Sequence, residues 1–196
     1  SSKTWTFLAI GLLAACQHGQ GPAPQAASAA APGQPWNDLN RNGQKDFYED
    51  PNQPVESRVE DLLTRMTLAE KLGQLSQQPM LKDSAKVHEE ALAQGGIGSF
   101  LPTYDVIGDV ALRNRLQKIA VERSRLGIPF LQGFDTIHGY RTVFPIPLGQ
   151  AASWDPGLLE RTQTVAAFES TAAGMDWTFA PMMDIARDPR WGRIAE

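Results

Sequence analysis

Two polar clusters follow short apolar segments in the second half of this chain. The first is GFDTIHGYR at 133–141, and the second is DIARDPRWGR at 184–193. Carboxylates accept hydrogen bonds in pairs, and the planar guanidinium group of arginine donates to two oxygens at once. Acids and arginines in this arrangement are therefore suited to binding a polar ligand that carries neighbouring oxygen atoms.

A third cluster has the spacing of a calcium-binding loop. Oxygen-bearing residues occupy positions one, three, five, seven, nine and twelve of the EF-hand order, with Gly43 at position six, where the chain must turn sharply. These residues are Asp38, Asn40, Asn42, Gln44, Asp46 and Glu49. Pro51 argues against a regular exiting helix. Both a structural Ca²⁺ site and a turn closed by its own side-chain hydrogen bonds remain open.

The elements around these clusters alternate between helices and short strands. Hydrophobic spacing and capping signals predict helices over about 55–77, 105–126 and 156–174, with a capping box at Thr67 and Glu70 and a further cap at Asp155. Apolar runs predict strands near 96–101, 130–134 and 177–180. Helices between short strands indicate βα units and a parallel sheet.

This order predicts an α/β fold, namely an incomplete (β/α)₈ TIM-type barrel with roughly its first three βα units. A doubly wound sheet is the alternative, but the chain has no glycine-rich phosphate loop to support it. In a barrel, residues just beyond the carboxyl ends of strands face the active site. Asp135 and the segment 184–193 should therefore lie on the same face.

The motifs at these positions resemble glycoside hydrolase family 3, the group of β-glucosidases and β-xylosidases. The matching stretches are RVEDLLTRMTLAEKLGQL at 58–75, the segment 127–149, and FAPMMDIARDPRWGR at 179–193. The resemblance implies that Asp135 binds hydroxyls of the sugar ring and that Arg193 contributes to the same subsite. The alternative for Asp135 is an ion pair with Arg141. Arg187, Asp188 and Arg190 are expected to bridge one another and shape their loop.

The resemblance also implies a reaction. Such an enzyme hydrolyses terminal, non-reducing β-linked glucose by a retaining mechanism that uses two carboxylates and no cofactor. Its substrate would be a β-linked oligosaccharide or glucoside. The segments that carry the nucleophile and the acid/base do not occur here, so no catalytic residue is assigned and the chain is expected to be an inactive fragment. The alternative is a non-catalytic surface lipoprotein that binds sugar or calcium.

The N-terminal residues resemble an export signal. Residues 1–15 carry one lysine and an apolar run too short to span a bilayer, and they end at Leu13-Ala-Ala-Cys16, which resembles a lipobox. An ordinary secretion signal is the alternative. The predicted organisation is signal peptide (1–15), Ala/Pro/Gly/Gln-rich tether (16–35), EF-hand-like loop (36–54) and barrel portion (55–196). The expected location is the periplasm or outer membrane, with membrane contact only through a lipid on Cys16.

The charge balance disfavours one class of partner. The chain has 18 Lys and Arg against 22 Asp and Glu, which gives a net charge of −4. No basic run stands out, so nucleic-acid binding is not expected.

Overall fold

The computed structural model describes residues 36–81, 83, 85–104, 106–185 and 187–193. The predicted signal peptide (1–15) and tether (16–35), including Cys16, lie outside the described residues. Within the described part, no helix combines the length and the apolar character that a membrane span requires.

Helices and parallel strands alternate along the described part of the chain. The helices are α1 (Val55–Arg65), α2 (Leu68–Gln74), α3 (Ala85–Ala93), α4 (Val110–Arg123), α5 (Pro147–Ala151) and α6 (Pro156–Ala172). The strands are β1 (Gln77–Met80), β2 (Ser99–Pro102), β3 (Leu131–Phe134) and β4 (Trp177–Thr178). Two short 3-10 helices span Phe47–Glu49 and Pro189–Trp191.

The four strands form one parallel sheet in the order β1-β2-β3-β4. Strand order follows chain order without the reversal that marks a doubly wound sheet, so the arrangement is that of the first part of a (β/α)₈ barrel. The predicted α/β class is confirmed. One strand was not predicted: β1 begins where the predicted helix 55–77 was expected to end. Pro79 lacks an N–H group, and β1, as the first strand of this order, can accommodate it.

The core lies between the sheet and helices α3 and α4. Phe100 on β2 is fully buried, and its ring meets those of Phe130 and His88 edge to face at centroid distances of 4.9 and 5.0 Å. The Gln117 side chain of α4 exchanges two hydrogen bonds of 3.2 Å with the backbone of Phe130. These contacts fix α4 against the start of β3.

The helix starts follow the capping signals. Thr67 and Glu70 form the predicted capping box, in which the Thr67 hydroxyl accepts from the Glu70 N–H at 3.2 Å and a Glu70 carboxylate oxygen accepts from the Thr67 N–H at 2.8 Å. Asp155 accepts from the Leu158 N–H at 3.1 Å and caps α6, as predicted. The helix predicted from residue 105 instead begins at Val110, because Asp109 is its cap.

Candidate functional site

Asp135 and the segment 184–193 leave the sheet at the same edge. Asp135 directly follows β3, the segment follows β4, and these two strands are parallel neighbours. The pairing extends on both sides of the short β4: the Asp176 N–H donates to the Gln132 carbonyl at 2.8 Å, and the Phe179 N–H donates to the Phe134 carbonyl at 3.1 Å. The sheet therefore fixes the starting points of both loops.

Asp135 is exposed at this edge and is not paired with Arg141. Among the described residues these two side chains form no ion pair, and the Arg141 N–H donates instead to the Glu169 carboxylate on α6 at 2.8 Å. The loop after β3 thus contacts α6 through the Arg141 backbone. The alternative role for Asp135, an ion pair with Arg141, is not what the structure shows.

Glu169 anchors the loop after β3. Its carboxylate accepts hydrogen bonds from the Arg141 and Thr142 N–H groups at 2.8 Å each and from the Thr142 hydroxyl at 2.6 Å. The hydrogen bonds from Thr142 are the main reason that the pKa of Glu169 lies below its ordinary value. Closer to the N-terminal end of α6, the Gln163 side-chain amide donates to the Ile137 carbonyl at 3.2 Å. These bonds hold the loop along α6.

His138 orders this loop through its backbone. Its carbonyl accepts from the Phe144 N–H at 2.8 Å. Within the described residues, its side-chain Nδ1 is buried and has no hydrogen-bond partner. The hydrogen bond by which His138 orders the loop is therefore a main-chain one.

The loop after β4 is shaped by a local ion pair. The Arg190 guanidinium donates to both carboxylate oxygens of Asp188, and Asp188 also caps the 3-10 helix through the Arg190 N–H at 3.0 Å. These contacts lower the pKa of Asp188. Gly192, with φ of 87°, ends the turn, and the exposed Arg193 follows it. The predicted bridge is confirmed for Asp188 and Arg190. The exposed Arg187 takes no part in it among the described residues.

The calcium-like loop is closed by hydrogen bonds between its own groups. The Asp38 carboxylate accepts from the Asn42 and Gly43 N–H groups at 3.0 and 2.8 Å. The Glu49 carboxylate accepts from the N–H groups of Leu39, Asn40 and Asp46. The Asn42 side-chain oxygen accepts from the Gln44 N–H at 2.7 Å. This is the pattern of a turn stabilised by Asx and Glu side chains.

Asp46 is the centre of this loop. Its carboxylate accepts from the Asn40 and Asn42 amides at 2.6 and 2.8 Å and forms an ion pair with Arg65 of α1 at 2.9 Å. In the described part of the chain, no group of three or more His, Cys, Asp or Glu side chains is arranged to hold a metal ion. In this arrangement Asp46 would have to exchange its present donors for an ion. The calcium prediction stays a prediction.

The same loop is attached to the barrel portion. Arg41, with φ of 60°, donates to the Glu122 carbonyl at 2.7 Å and to the Ser124 carbonyl at 2.5 Å. These carbonyls lie at the C-terminal end of α4, which favours a cation. The loop is therefore an integral part of the fold.

Comparison with known proteins decides the family. The sequence profile described as the glycosyl hydrolase family 3 N-terminal domain matches residues 67–196, which include Asp135 and Arg193. The chain belongs to this family.

Two curated relatives are much longer than the part of them that this chain matches. It is 38% identical over 139 residues to the periplasmic β-glucosidase of Salmonella typhimurium, which covers 70% of this chain and 18% of the relative. It is 31% identical over 189 residues to the periplasmic β-glucosidase/β-xylosidase of Dickeya chrysanthemi, which covers 81% of this chain and 28% of the relative. The chain thus spans less than a third of either relative.

Two solved structures of β-glucosidases have a similar fold. The β-glucosidase of Listeria innocua in complex with gluconolactone aligns with a TM-score of 0.59 and 33% identity over 71% of this chain and 20% of that one. A β-glucosidase of Erythrobacter marinus aligns with a TM-score of 0.62 and 26% identity, covering 76% of this chain and 21% of that one.

Sequence reasoning missed the groups that support the loop after β3. Glu169 lies 28 residues from Arg141 along the chain. No motif connects two such positions. The nearest available signal was the helix predicted over 156–174, which identifies the element that carries Glu169 but not the partners of that residue.

Proposed function

We propose that this chain forms part of the substrate-binding face of a β-glycosidase that hydrolyses terminal, non-reducing β-linked glucose with retention of configuration. The observation that supports this most directly is the common sheet edge of Asp135 and the segment 184–193. A sugar ring presents neighbouring hydroxyls to an enzyme, and this edge offers acceptors and donors for them.

Two residues have distinct roles in this proposal. Asp135 accepts hydrogen bonds from two adjacent hydroxyls of the ring, because a carboxylate has lone pairs on both oxygens. Arg193 donates to ring oxygens from the neighbouring loop. Joint contact of the two side chains with a single sugar is part of the proposal.

The reacting carboxylates of this proposal lie outside these 196 residues. Retention requires one carboxylate as nucleophile and a second as acid/base. We assign neither to Asp135, since its proposed role is to bind substrate. The residues of this chain therefore orient the sugar, and they move no proton in the reaction.

Glucose is the proposed sugar because the relatives from Salmonella, Listeria and Erythrobacter all carry the name β-glucosidase. The Dickeya relative is named for xylose as well. The Listeria enzyme was solved with gluconolactone, an analogue of glucose. The Salmonella and Dickeya relatives are named periplasmic, and we propose that this protein is exported too. A lipid anchor on Cys16 belongs to the same proposal and rests on the lipobox resemblance alone.

Calorimetric titration with gluconolactone tests the binding role. Asp135→Asn removes one charged acceptor, and we expect about tenfold weaker binding or more, since hydrogen bonds to charged groups contribute about 1.5–3 kcal/mol. Glu122→Gln is the control, because that exposed carboxylate lies at the far end of α4, away from the site edge. Equal affinity of Asp135→Asn and the unmodified chain would overturn the role of Asp135.

A turnover assay tests where the chemistry resides. We expect the chain alone not to hydrolyse 4-nitrophenyl β-D-glucopyranoside. Hydrolysis that persists in Asp135→Asn, at a rate above the buffer control, would mean that this chain holds a complete catalytic pair. The assignment of catalysis to other residues would then be wrong.

We also propose that the loop 36–54 binds a structural Ca²⁺ through Asp38, Asn40, Asn42, Gln44, Asp46 and Glu49. The support is the ligand order, together with the burial of Glu49. Millimolar Ca²⁺ should raise the melting temperature relative to EDTA, and Asp46→Asn should remove the increase. Equal melting temperatures in Ca²⁺ and EDTA would leave the loop as a self-bonded turn.

A further inference from the structure

An exposed aromatic side chain stands at the same sheet edge as Asp135. Tyr104 lies two residues beyond β2 and is 90% exposed. Two residues near it in the chain, Thr103 and Val106, are held by the rest of the fold. The N–H and hydroxyl of Thr103 donate to the Met80 carbonyl at 3.3 and 3.0 Å, and Val106 is 2% exposed within the core. The ring is therefore exposed to solvent directly after an anchored residue, Thr103.

Ring contacts place Tyr104 beside the strand end that carries Asp135. The Tyr104 ring meets the Phe134 ring edge to face, with centroids 6.0 Å apart, and Phe134 immediately precedes Asp135. The Phe134 ring also meets the Tyr140 ring edge to face, with the same centroid distance. Tyr104 is the most exposed of these three rings, so it has the largest surface to offer a ligand.

This geometry suits the chemistry of a β-linked disaccharide. The hydroxyls of a β-glucopyranose are equatorial, which leaves C–H groups on both ring faces. Such groups pack favourably on the negative face of an aromatic ring, while the tyrosine hydroxyl remains available for a hydrogen bond. Neighbouring strands lie about 4.8 Å apart, which is comparable with the length of one sugar unit.

We propose that Tyr104 is a stacking platform for the sugar unit linked to the one that Asp135 holds. This inference rests on the proposed function and deepens it, because it assigns a specificity residue for β-linked disaccharides over simple glucosides. Tyr104 takes no part in bond cleavage. Its contribution is to the affinity for the second sugar ring.

Parallel titrations with cellobiose and methyl β-D-glucopyranoside test the platform. Tyr104→Ala should weaken cellobiose binding about fivefold to tenfold, which is the range of an aromatic contact, and should change methyl glucoside binding less than about twofold. Tyr104→Phe keeps the ring and should retain cellobiose binding to within about twofold. The control Phe168→Ala removes an exposed ring near the C-terminal end of α6, and it should affect neither ligand.

The outcomes separate this inference from the proposed function. If Asp135→Asn weakens both ligands while Tyr104→Ala changes neither, the platform is wrong and the sugar site stands. Equal weakening of both ligands by Tyr104→Ala also overturns the platform. If the unmodified chain binds neither sugar, both proposals fail. Melting temperatures of all variants accompany the titrations, so that a loss of fold is recognised as such.

Discussion

The Glu70 carboxylate joins the start of α2 to the segment after α4, and its removal should have a large and measurable effect. It closes the capping box of α2 with Thr67 and receives two hydrogen bonds from the Arg125 guanidinium, which follows α4. Glu70 is 8% exposed, whereas the Arg125 side chain is about half exposed. The ion pair between Glu70 and Arg125 is therefore partly buried, with the carboxylate inside and the guanidinium near the surface.

The magnitude follows from these contacts. Glu70→Ala removes the capping box, which contributes about 1 kcal/mol, and a charge-assisted pair that contributes about 2 kcal/mol at a half-exposed site. We expect a loss of about 3 kcal/mol in the free energy of unfolding. Glu70→Gln keeps a capping oxygen and loses only the charge, so we expect about 1.5 kcal/mol. The exposed Glu60→Gln on α1 should stay within about 0.5 kcal/mol.

The pH dependence supplies a second check. Burial alone would raise the pKa of Glu70, but the hydrogen bonds from Arg125 and Thr67 outweigh it and lower the pKa. A lowered pKa in the folded state means that the stabilisation is complete above the unfolded value of about 4.3 and is lost as the pH falls through the folded value. The stability gap between the unmodified chain and Glu70→Gln should therefore close in acid.

Urea denaturation at pH 7 and at several values below pH 5 measures both effects. Arg125→Gln, alone and combined with Glu70→Gln, isolates the coupling between the two side chains. The reasoning would be refuted if Glu70→Gln matched Glu60→Gln at pH 7, or if its gap to the unmodified chain persisted unchanged at pH 3.

Three further predictions concern other parts of the molecule. Phe100→Ala should reduce the free energy of unfolding by about 3–5 kcal/mol in urea titrations, because the residue is fully buried, and a loss under 1 kcal/mol would contradict this. Burial lowers the pKa of His88, so the folded state favours the neutral imidazole. As the pH is lowered from 8 to 5, the melting temperature should therefore decrease once the pH passes the unfolded pKa of about 6.5. The decrease should be smaller in His88→Leu, and an equal decrease in both proteins would contradict this. Glu169→Ala should speed hydrogen exchange at the Arg141 and Thr142 amides about tenfold or more at pH 7, and unchanged exchange would show that the loop has other anchors.

Features determined by local chemistry could be predicted from the sequence. The caps at Thr67 and Asp155 were placed correctly because a cap depends on residues three positions apart. The strand-end position of Asp135 was also predictable, because in parallel βα units polar residues after a strand share one edge. These predictions required only the order of the elements.

Strand β1 escaped prediction for a physical reason. Its sequence QQPM has a single apolar side chain that is buried, Met80, and the three residues before it are exposed. A parallel strand usually shows an apolar run because both its faces are covered. Polar residues and Pro79 instead read as the end of a helix. Pairing with the apolar β2 determines the conformation of β1, and that pairing is not visible in the sequence of β1.

Side-chain contacts between distant residues were equally out of reach. The bond of Glu169 to Thr142 and the contact of Tyr104 with Phe134 depend on how a helix or a turn is seated against the sheet. A shift of one helical residue would turn Glu169 by about 100° and remove its bonds to the loop. The hydrophobic pattern of a sequence places such residues on a particular helix or turn. Only the packed structure identifies the residues that they contact.

The order of the strands in the sheet is the order in which they are synthesised. The N-terminal strands can therefore pair before the C-terminal strand has been made. The main core residues come early in the chain: Phe100, helix α4 and Phe130 all precede β4 by more than 40 residues. A nascent chain emerging from the ribosome can therefore collapse around β1, β2 and β3 while α6 and β4 are still being translated. Slower translation after residue 134 would give β1, β2 and β3 more time to pack together. It would not hinder β4, because β4 adds to the free edge of β3.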